Sequence, residues 1–177
     1  IDNNTKVSEY ILSCRQMGIR LLPPDINEGH MNFSVSGDAI RYALSAIKSV
    51  NHAFIKNLCE ERKERGKFTS LLDFLTRMAD KEINKRVVEN LIKAGALDNL
   101  GATRKQSMMV YAGIMEGLAQ DKKNTMAGQM TLFVLAGEEE KSDFEVKMPE
   151  VGEYARETYL GFEKEVLGIY ISGHPLE

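Results

Sequence analysis

A succession of short amphipathic segments, each opened by a helix-capping residue and closed by glycine, most strongly restricts the fold of this 177-residue chain. Asn51 and Gly66 bracket one segment. Asn84 and Gly95 bracket another. Asparagine accepts hydrogen bonds from the first N–H groups of a helix, and glycine readily adopts the left-handed conformation that ends one. The spacing therefore predicts short helices joined by tight turns, and hence a mainly α fold.

Two further helix starts carry a capping-box pattern, in which the residue three positions after the cap reaches back to it. Ser70 with Asp73 has this spacing, with Asp in place of Glu, and opens a predicted helix through Met78. Thr103 with Gln106 is a fuller example and opens a longer helix with a methionine-rich face. Such a face is more typical of a packed core than of a cofactor site, so we expect it to point inward.

The first 42 residues have a mixed pattern. An amphipathic helix ends at Gly18, and the residues from Ile19 to Leu22 predict a short strand. Apolar residues then alternate from Phe33 to Leu44 on either side of a Ser-Gly-Asp turn, which predicts a β-hairpin. The sequence thus predicts a small α/β piece with a short β-hairpin ahead of a helical module.

Composition excludes several classes of protein. Hydrophobic residues make up 43% of the chain and charged residues 28%, as in a soluble globular protein. No apolar run reaches the roughly 18–20 residues of a membrane helix, and no charged-then-apolar leader is visible, so we expect neither a membrane span nor a signal peptide. Cys14 and Cys59 lie in helical patterns without a Cys-x-x-Cys pair, which predicts buried thiols in a cytoplasmic protein and no metal site.

The net charge of −3 conceals blocks of different sign. Residues 1–39 carry −2 and residues 106–177 carry −7, whereas residues 40–105 carry fourteen basic and eight acidic side chains, a net +6. Within the positive block, residues 46–51 join a short apolar stretch to an amphipathic helix. A tight hairpin there can aim backbone N–H groups and a helix N-terminus at a phosphate. A solvated charged face with an ordinary inter-helix turn is the alternative.

Several motifs occur in an order that resembles one family across nearly the whole chain. They are Glu9-Tyr10-Ile11, Leu22-Pro23-Pro24-Asp25, Ala46-Ile47-Lys48, Ser70-Leu71 with Asp73-Phe74, Leu91-Ile92-Lys93-Ala94-Gly95-Ala96 and Ser172-Gly173-His174-Pro175. The ordered set resembles the bacterial DNA polymerase III alpha subunit, a replicative C-family polymerase. The resemblance implies a mainly α fold with a tandem helix-hairpin-helix module.

The same resemblance implies four regions in this chain. Residues 1–42 would form the C-terminal end of the fingers region, and residues 43–120 would form the tandem helix-hairpin-helix module that holds duplex DNA. Residues 121–152 would be a flexible linker that carries a clamp-binding peptide. Residues 153–177 would form a helix and a strand leading to an OB-fold domain that lies outside this chain.

The candidate DNA contacts lie at the two hairpins and on the helices that follow them. They are Lys48, Ser49, Val50, Asn51, Lys56, Lys81, Lys85 and Arg86. The family's hairpin carries Gly-hydrophobic-Gly where this chain has Ser-Val-Asn, so we expect Asn51 to remain a cap and Ser49 to distort the turn. The second unit, residues 70–94, has no Gly-x-Gly, and we expect it mainly to pack.

An apolar island interrupts the polar, acid-rich stretch after residue 120. The pentapeptide at residues 129–133, Gln-Met-Thr-Leu-Phe, resembles the one with which bacterial polymerases bind the sliding clamp. Its candidate contacts are Gln129, Met130, Leu132 and Phe133, of which Leu132 and Phe133 would fill an apolar pocket. The alternative is that these two side chains fold back onto the helical module.

No catalytic arrangement is visible, because clustered carboxylates for two Mg²⁺ ions, a Ser/His/Asp set, a nucleophilic cysteine and a Walker-type motif are all missing. We therefore predict an inactive, cofactor-free segment of a Mg²⁺-dependent DNA polymerase. It would hold double-stranded DNA without reading its sequence and tether the polymerase holoenzyme to the sliding clamp. A stand-alone helix-hairpin-helix repair module and a protein-interaction scaffold without DNA contact remain the alternatives.

Overall fold

Helices hold most of the residues that the computed structural model describes, which are 4–124, 147–173 and 176. The predicted mainly α fold is confirmed. The α-helices in this part of the chain are α1 (Asn4–Gln16), α2 (His52–Arg65), α3 (Leu71–Met78), α4 (Lys85–Ala94), α5 (Arg104–Asn124) and α6 (Arg156–Leu167). Short 3-10 helices at Leu44–Ala46 and Asp98–Leu100 precede α2 and α5.

The predicted asparagine caps begin α2 and α4. The Asn51 side chain accepts the Phe54 N–H at 2.7 Å, and the Asn84 side chain accepts the Val87 N–H at 2.9 Å. Each bond satisfies a donor that has no partner within its own helix. The glycine after α4, Gly95, has a φ of 84° and closes the helix in the left-handed conformation, as its position predicted.

The two capping boxes differ in which backbone N–H the second side chain accepts. The Gln106 N–H donates to Thr103 Oγ1 at 3.1 Å, and the Thr103 N–H donates back to Gln106 Oε1 at 3.0 Å. Ser70 Oγ likewise accepts the Asp73 N–H at 3.0 Å, but the Asp73 carboxylate accepts from the N–H of Thr69, one residue before the cap. Both helix starts agree with the sequence pattern.

Three short strands form a small sheet, with β1 at Arg20–Leu22, β2 at Ser34–Ser36 and β3 at Ala39–Arg41. The antiparallel pair of β2 and β3 is the predicted hairpin, and β1 pairs in parallel with β3 in the middle of the sheet. The alternation was expected to continue to Leu44. Instead β3 ends at Arg41, and the chain enters a 3-10 helix at Leu44–Ala46, in which Leu44 is buried in the core.

One apolar core joins the regions that the sequence divided. Its buried members come from α1, the segment around the sheet, α2 to α4, and α6. They include Ile11, Ile26, Tyr42, Phe54, Leu58, Phe74, Val88, Leu91, Val166 and Leu167. The Tyr42 hydroxyl donates to the Leu167 carbonyl at 3.1 Å, and burial raises the pKa of Tyr42 to about 12. Described residues within 1–42 and 153–177, among them Ile11, Tyr42 and Val166, therefore pack with the helical module.

Helical structure and core contacts extend into both ends of residues 121–152, the predicted linker. Helix α5 continues to Asn124, and lysine, which occupies residues 122 and 123, has a high intrinsic helix propensity. On the far side, Met148 already packs against the core, and the Pro149 carbonyl accepts a hydrogen bond from Gln106 Nε2 at 3.1 Å. Polar composition alone did not reveal these contacts.

Of the helix and strand predicted within residues 153–177, the strand, expected at the apolar residues 169–171, does not form. Residues 168–172 make bends, and the N–H groups of Ile171 and Ser172 donate to the Glu163 carboxylate at 3.0 Å and 2.9 Å. Glu163 is fully buried and also accepts from Arg104 at 3.0 Å. A carboxylate thus takes up the backbone donors that a neighbouring strand would otherwise accept.

Candidate nucleic-acid interface

The turn before α2 holds a non-glycine residue in the left-handed region of backbone space. Ser49 has a φ of 67°, and the Val50 N–H donates to the Ile47 carbonyl at 3.2 Å, which closes a tight turn. Val50 is buried, and Asn51 follows as the cap of α2. Ser49 thus adopts the left-handed backbone that glycine favours, while a distortion relative to the family's glycine-containing turn stays a prediction.

The turn before α4 repeats the same order of residues. Glu82 has a φ of 58°, Ile83 is half-buried against the core, and Asn84 caps α4. The Lys81 N–H donates to the Met78 carbonyl at 2.9 Å. A left-handed residue, an apolar residue and an asparagine cap therefore occur in both hairpins. A search for glycine missed this match, whereas the shared apolar-asparagine pair could have revealed it.

The start of α4 lies against the first hairpin. Arg86 Nε donates to Ser49 Oγ at 3.1 Å, and Asn90 Nδ2 donates to the Lys48 carbonyl at 2.7 Å. Arg86 is in the first helical turn of α4. These bonds therefore bring the N-terminal end of α4 and the hairpin turn before α2 to one surface. Sequence reasoning named Ser49 and Arg86 separately and missed Asn90.

Both helix starts present backbone donors at the protein surface. The first N–H groups of a helix have no acceptor within it, and the Asn51 and Asn84 side chains each take up only one of them. The N–H groups of residues 52, 53, 85 and 86 remain at the helix ends, and all four residues are exposed. The helix dipole favours an anion at such an end, so the arrangement suits phosphate.

This geometry agrees with a known family of nucleic-acid-binding elements. A family model described as a helix-hairpin-helix motif matches residues 18–107, just over half of the chain. The chain belongs to the helix-hairpin-helix family. Its match includes both hairpins as well as the sheet that precedes them.

Proteins named DNA polymerase III subunit alpha match this helix-hairpin-helix chain over nearly its whole length. Those from Mycobacterium tuberculosis (strain CDC 1551 / Oshkosh), Borreliella burgdorferi and Thermus aquaticus are 38%, 37% and 38% identical and cover 99%, 100% and 98% of the chain. The chain spans only 15%, 15% and 14% of the lengths of these relatives. The resemblance that the ordered motifs predicted is confirmed.

The basic side chains predicted to contact DNA differ in their surroundings. Lys48, Lys56 and Arg86 are exposed. Lys85 is also exposed, but its ammonium lies 2.6 Å from the Glu116 carboxylate, whose hydrogen bond raises the pKa of Lys85. Contact between these side chains and DNA stays a prediction, as it does for Ser49, Val50 and Asn51.

Lys81 belongs to a buried ionic cluster at the second hairpin. Its ammonium lies 2.7 Å from the carboxylate of Glu61, a fully buried residue of α2 that also binds Arg65 and Arg77 at 3.0 Å. The hydrogen bond from Lys81, assisted by Arg77 and Arg65 and opposed by burial, lowers the pKa of Glu61 to about 2. The charge of Lys81 is therefore largely balanced within the protein.

The clamp-binding peptide predicted at Gln129, Met130, Leu132 and Phe133 lies outside the described residues. Within the described ranges, no three His, Cys, Asp or Glu side chains are grouped so as to hold a metal ion. Over the same part of the chain, no helix combines the length and the apolar character that crossing a membrane requires.

Proposed function

We propose that this chain is a non-catalytic segment of a replicative DNA polymerase and that it holds duplex DNA without reading its sequence. The observation that carries the proposal is the contact between Arg86 and Ser49, which puts the first turn beside the N-terminus of α4. The helix-hairpin-helix match and the names of the relatives support it. The proposal extends to the longer protein, which would be a Mg²⁺-dependent, DNA-directed nucleotidyltransferase of the cytoplasm.

Non-specific binding follows from the kinds of group at the surface. Backbone N–H groups at helix ends and the side chains of Lys48, Lys56 and Arg86 can bind phosphate oxygens, which are the same at every base pair. Neutralising a few phosphates would also release counterions, so affinity should fall steeply as salt rises.

Fluorescence anisotropy with a short labelled duplex tests this proposal. If about three phosphates are neutralised, the slope of log affinity against log salt should be about −3, with equal affinities for unrelated sequences. Lys48→Glu should weaken binding. Lys63→Glu is the matched control, because this exposed lysine lies in the last turn of α2, about 16 Å along the helix from its first residue. Equal losses from both variants, or no salt-dependent binding, would refute the proposal.

We also propose that residues 129–133 tether the polymerase to its sliding clamp. Two large apolar residues, Leu132 and Phe133, lie in a polar stretch and suit an anchor in an apolar pocket, with Gln129 and Met130 beside them. A peptide of this size should bind with a Kd near the micromolar range, about −8 kcal/mol. Its effect would come from the high local concentration of a clamp on the same DNA.

Calorimetric titration with the cognate clamp tests the tether. Replacing both Leu132 and Phe133 with Ala should cost about 2–4 kcal/mol of binding free energy. The double variant Val134→Ala and Leu135→Ala removes a neighbouring apolar pair just after the pentapeptide and should bind like the wild type. If the two double variants bind equally well, the pentapeptide is not the anchor.

The isolated chain should not synthesise DNA, because the carboxylates for two-metal chemistry lie outside it in this proposal. A primer-extension assay with Mg²⁺ and all four nucleotides checks this. Extension by the pure chain would overturn the assignment as a non-catalytic segment.

A further inference from the structure

The backbone of Lys48, one residue before the left-handed Ser49, is held from two sides. Its N–H donates to the Val166 carbonyl at 2.9 Å, in the last turn of α6. Its carbonyl accepts from Asn90 Nδ2 at 2.7 Å, on α4. Asn90 is only 7% exposed, so its amide has little access to water as an alternative partner.

These bonds bear directly on Ser49, because a non-glycine residue strongly disfavours a positive φ. Glycine would adopt this conformation readily and would need no external support. Here the two peptide groups before Ser49 are each fixed, one by α6 and the next by α4, and the Ser49 hydroxyl is held by Arg86. Hydrogen bonds from distant elements thus stabilise a conformation that glycine would adopt through its own flexibility.

We propose that Asn90 is a positioning residue for DNA binding, and that it holds the first hairpin in its left-handed conformation so that the turn and the N-terminus of α2 face phosphate together. Asn90 itself touches no DNA in this scheme and acts through Lys48 and Ser49. The inference rests on the proposed binding of duplex DNA. In this proposal, α4 and α6 stabilise the left-handed conformation of the turn, which the turn's own sequence does not favour.

Asn90→Ala removes the donor and leaves the Lys48 carbonyl without its partner. Asn90→Asp nearly preserves the shape and puts a carboxylate oxygen against that carbonyl. Duplex affinity, measured by anisotropy on the whole 177-residue chain, should fall about tenfold in either variant. Having two variants keeps the test decisive if one of them fails to fold, which circular dichroism will show.

Asn99→Ala is the matched control. Asn99 Nδ2 also donates a bond of 2.7 Å between distant segments, but to the Asp25 carboxylate and not to the hairpin. The control should keep the wild-type duplex affinity at temperatures where it is folded. A similar loss of affinity in Asn99→Ala would show that general destabilisation explains the effect, and would overturn the inference.

A variant that restores duplex affinity distinguishes a positioning role of Asn90 from a merely structural one. Adding Ser49→Gly to Asn90→Ala should restore most of the lost affinity, because glycine needs no support at a positive φ. In ¹⁵N–¹H spectra, the Ser49 amide signal should shift in Asn90→Ala and respond less to added duplex. Wild-type affinity in a folded Asn90→Ala, or no rescue by glycine, would overturn the inference alone. Absence of duplex binding by the wild type would overturn it together with the proposed function.

Discussion

The two hairpins share a backbone and differ in what surrounds it. Ser49 and Glu82 have φ values of 67° and 58°, and an apolar residue and an asparagine cap follow each of them. At the first turn the left-handed residue carries a small hydroxyl that binds Arg86. At the second it carries an exposed carboxylate, which would repel a phosphate. The two turns therefore share a backbone conformation but present different chemical groups to a ligand.

The turns also depend on different buried charges. The first turn is bonded to α6, which Arg104 anchors through its contact with Glu163 at 3.0 Å. The second turn is bonded through Lys81 to Glu61 on α2. Each hairpin has its own ionic cluster, so damage to one cluster should affect one hairpin first.

Loss of Arg104 should have the largest effect. Its guanidinium is almost wholly buried, binds Asp98 and Glu163, and lies 3.7 Å from the ring centre of Tyr159. Arg104→Ala would leave the carboxylates of Asp98 and Glu163 without the cation that balances them and should lower the free energy of unfolding by about 3–5 kcal/mol, as measured in urea. Hydrogen exchange should rise more at Lys48 than at Lys81, because α6 supports only the first turn through the bonds described.

Arg20→Ala is the control for this prediction, since the pair of Arg20 and Asp38 is exposed and spans 3.7 Å. Such pairs contribute about 0–1 kcal/mol, so the stability should hardly change. Equal increases in exchange at the two hairpins after Arg104→Ala would show that they do not have separate supports.

Replacement of Glu61 should act mainly on the second hairpin. Glu61→Gln weakens the bonds to Lys81, Arg77 and Arg65 and should cost about 2–3 kcal/mol at pH 7 in urea unfolding. The pKa of Glu61 is lowered from the ordinary glutamate value of 4.5 to about 2. Its stabilisation is therefore complete above the unfolded-state value and is lost as the pH falls from about 5 through about 2.

The difference in stability between wild type and Glu61→Gln should consequently shrink as the pH falls from 7 towards 2. Glutamine does not titrate, so the variant lacks the contribution of Glu61 to the pH dependence of the unfolding free energy. A constant difference over that pH range would contradict the assignment of the depressed pKa to Glu61.

Glycine at the two left-handed positions should stabilise the chain by about 1 kcal/mol or less. Glu82→Gly should gain more than Ser49→Gly, because the latter also loses the bond from Arg86. Urea unfolding measures both gains. Glu82→Ala is the matched control, since it removes the carboxylate without easing the positive φ. Equal stability of the alanine and glycine variants would show that the conformation carries no strain.

The smallest expected effect concerns the salt dependence of DNA binding. Lys48→Ala should reduce the magnitude of the log–log salt slope by about 1, because it removes one phosphate contact. Lys81→Ala should leave the slope unchanged, since its ammonium is paired with Glu61. A larger change for Lys81 than for Lys48 would reverse the proposed roles of the two hairpins.

Local patterns in the sequence determined the helix starts and ends. Asn51, Ser70 and Asn84 cap their helices as predicted, because each cap bonds an N–H only three residues away. The β-hairpin at β2 and β3 was likewise predicted from residues close in sequence. The order of motifs also sufficed to identify the resemblance to the alpha subunits.

Only the tertiary structure decided how the two turns are held and which charges remain available. The contacts of Ser49 with Arg86, of Lys48 with Asn90 and of Lys81 with Glu61 join residues 37, 42 and 20 positions apart. Residues so far apart meet only when the core packs α2, α3 and α4 together. The same reason explains residues 169–171, where a buried carboxylate on α6 takes the backbone N–H groups of what looked like a strand.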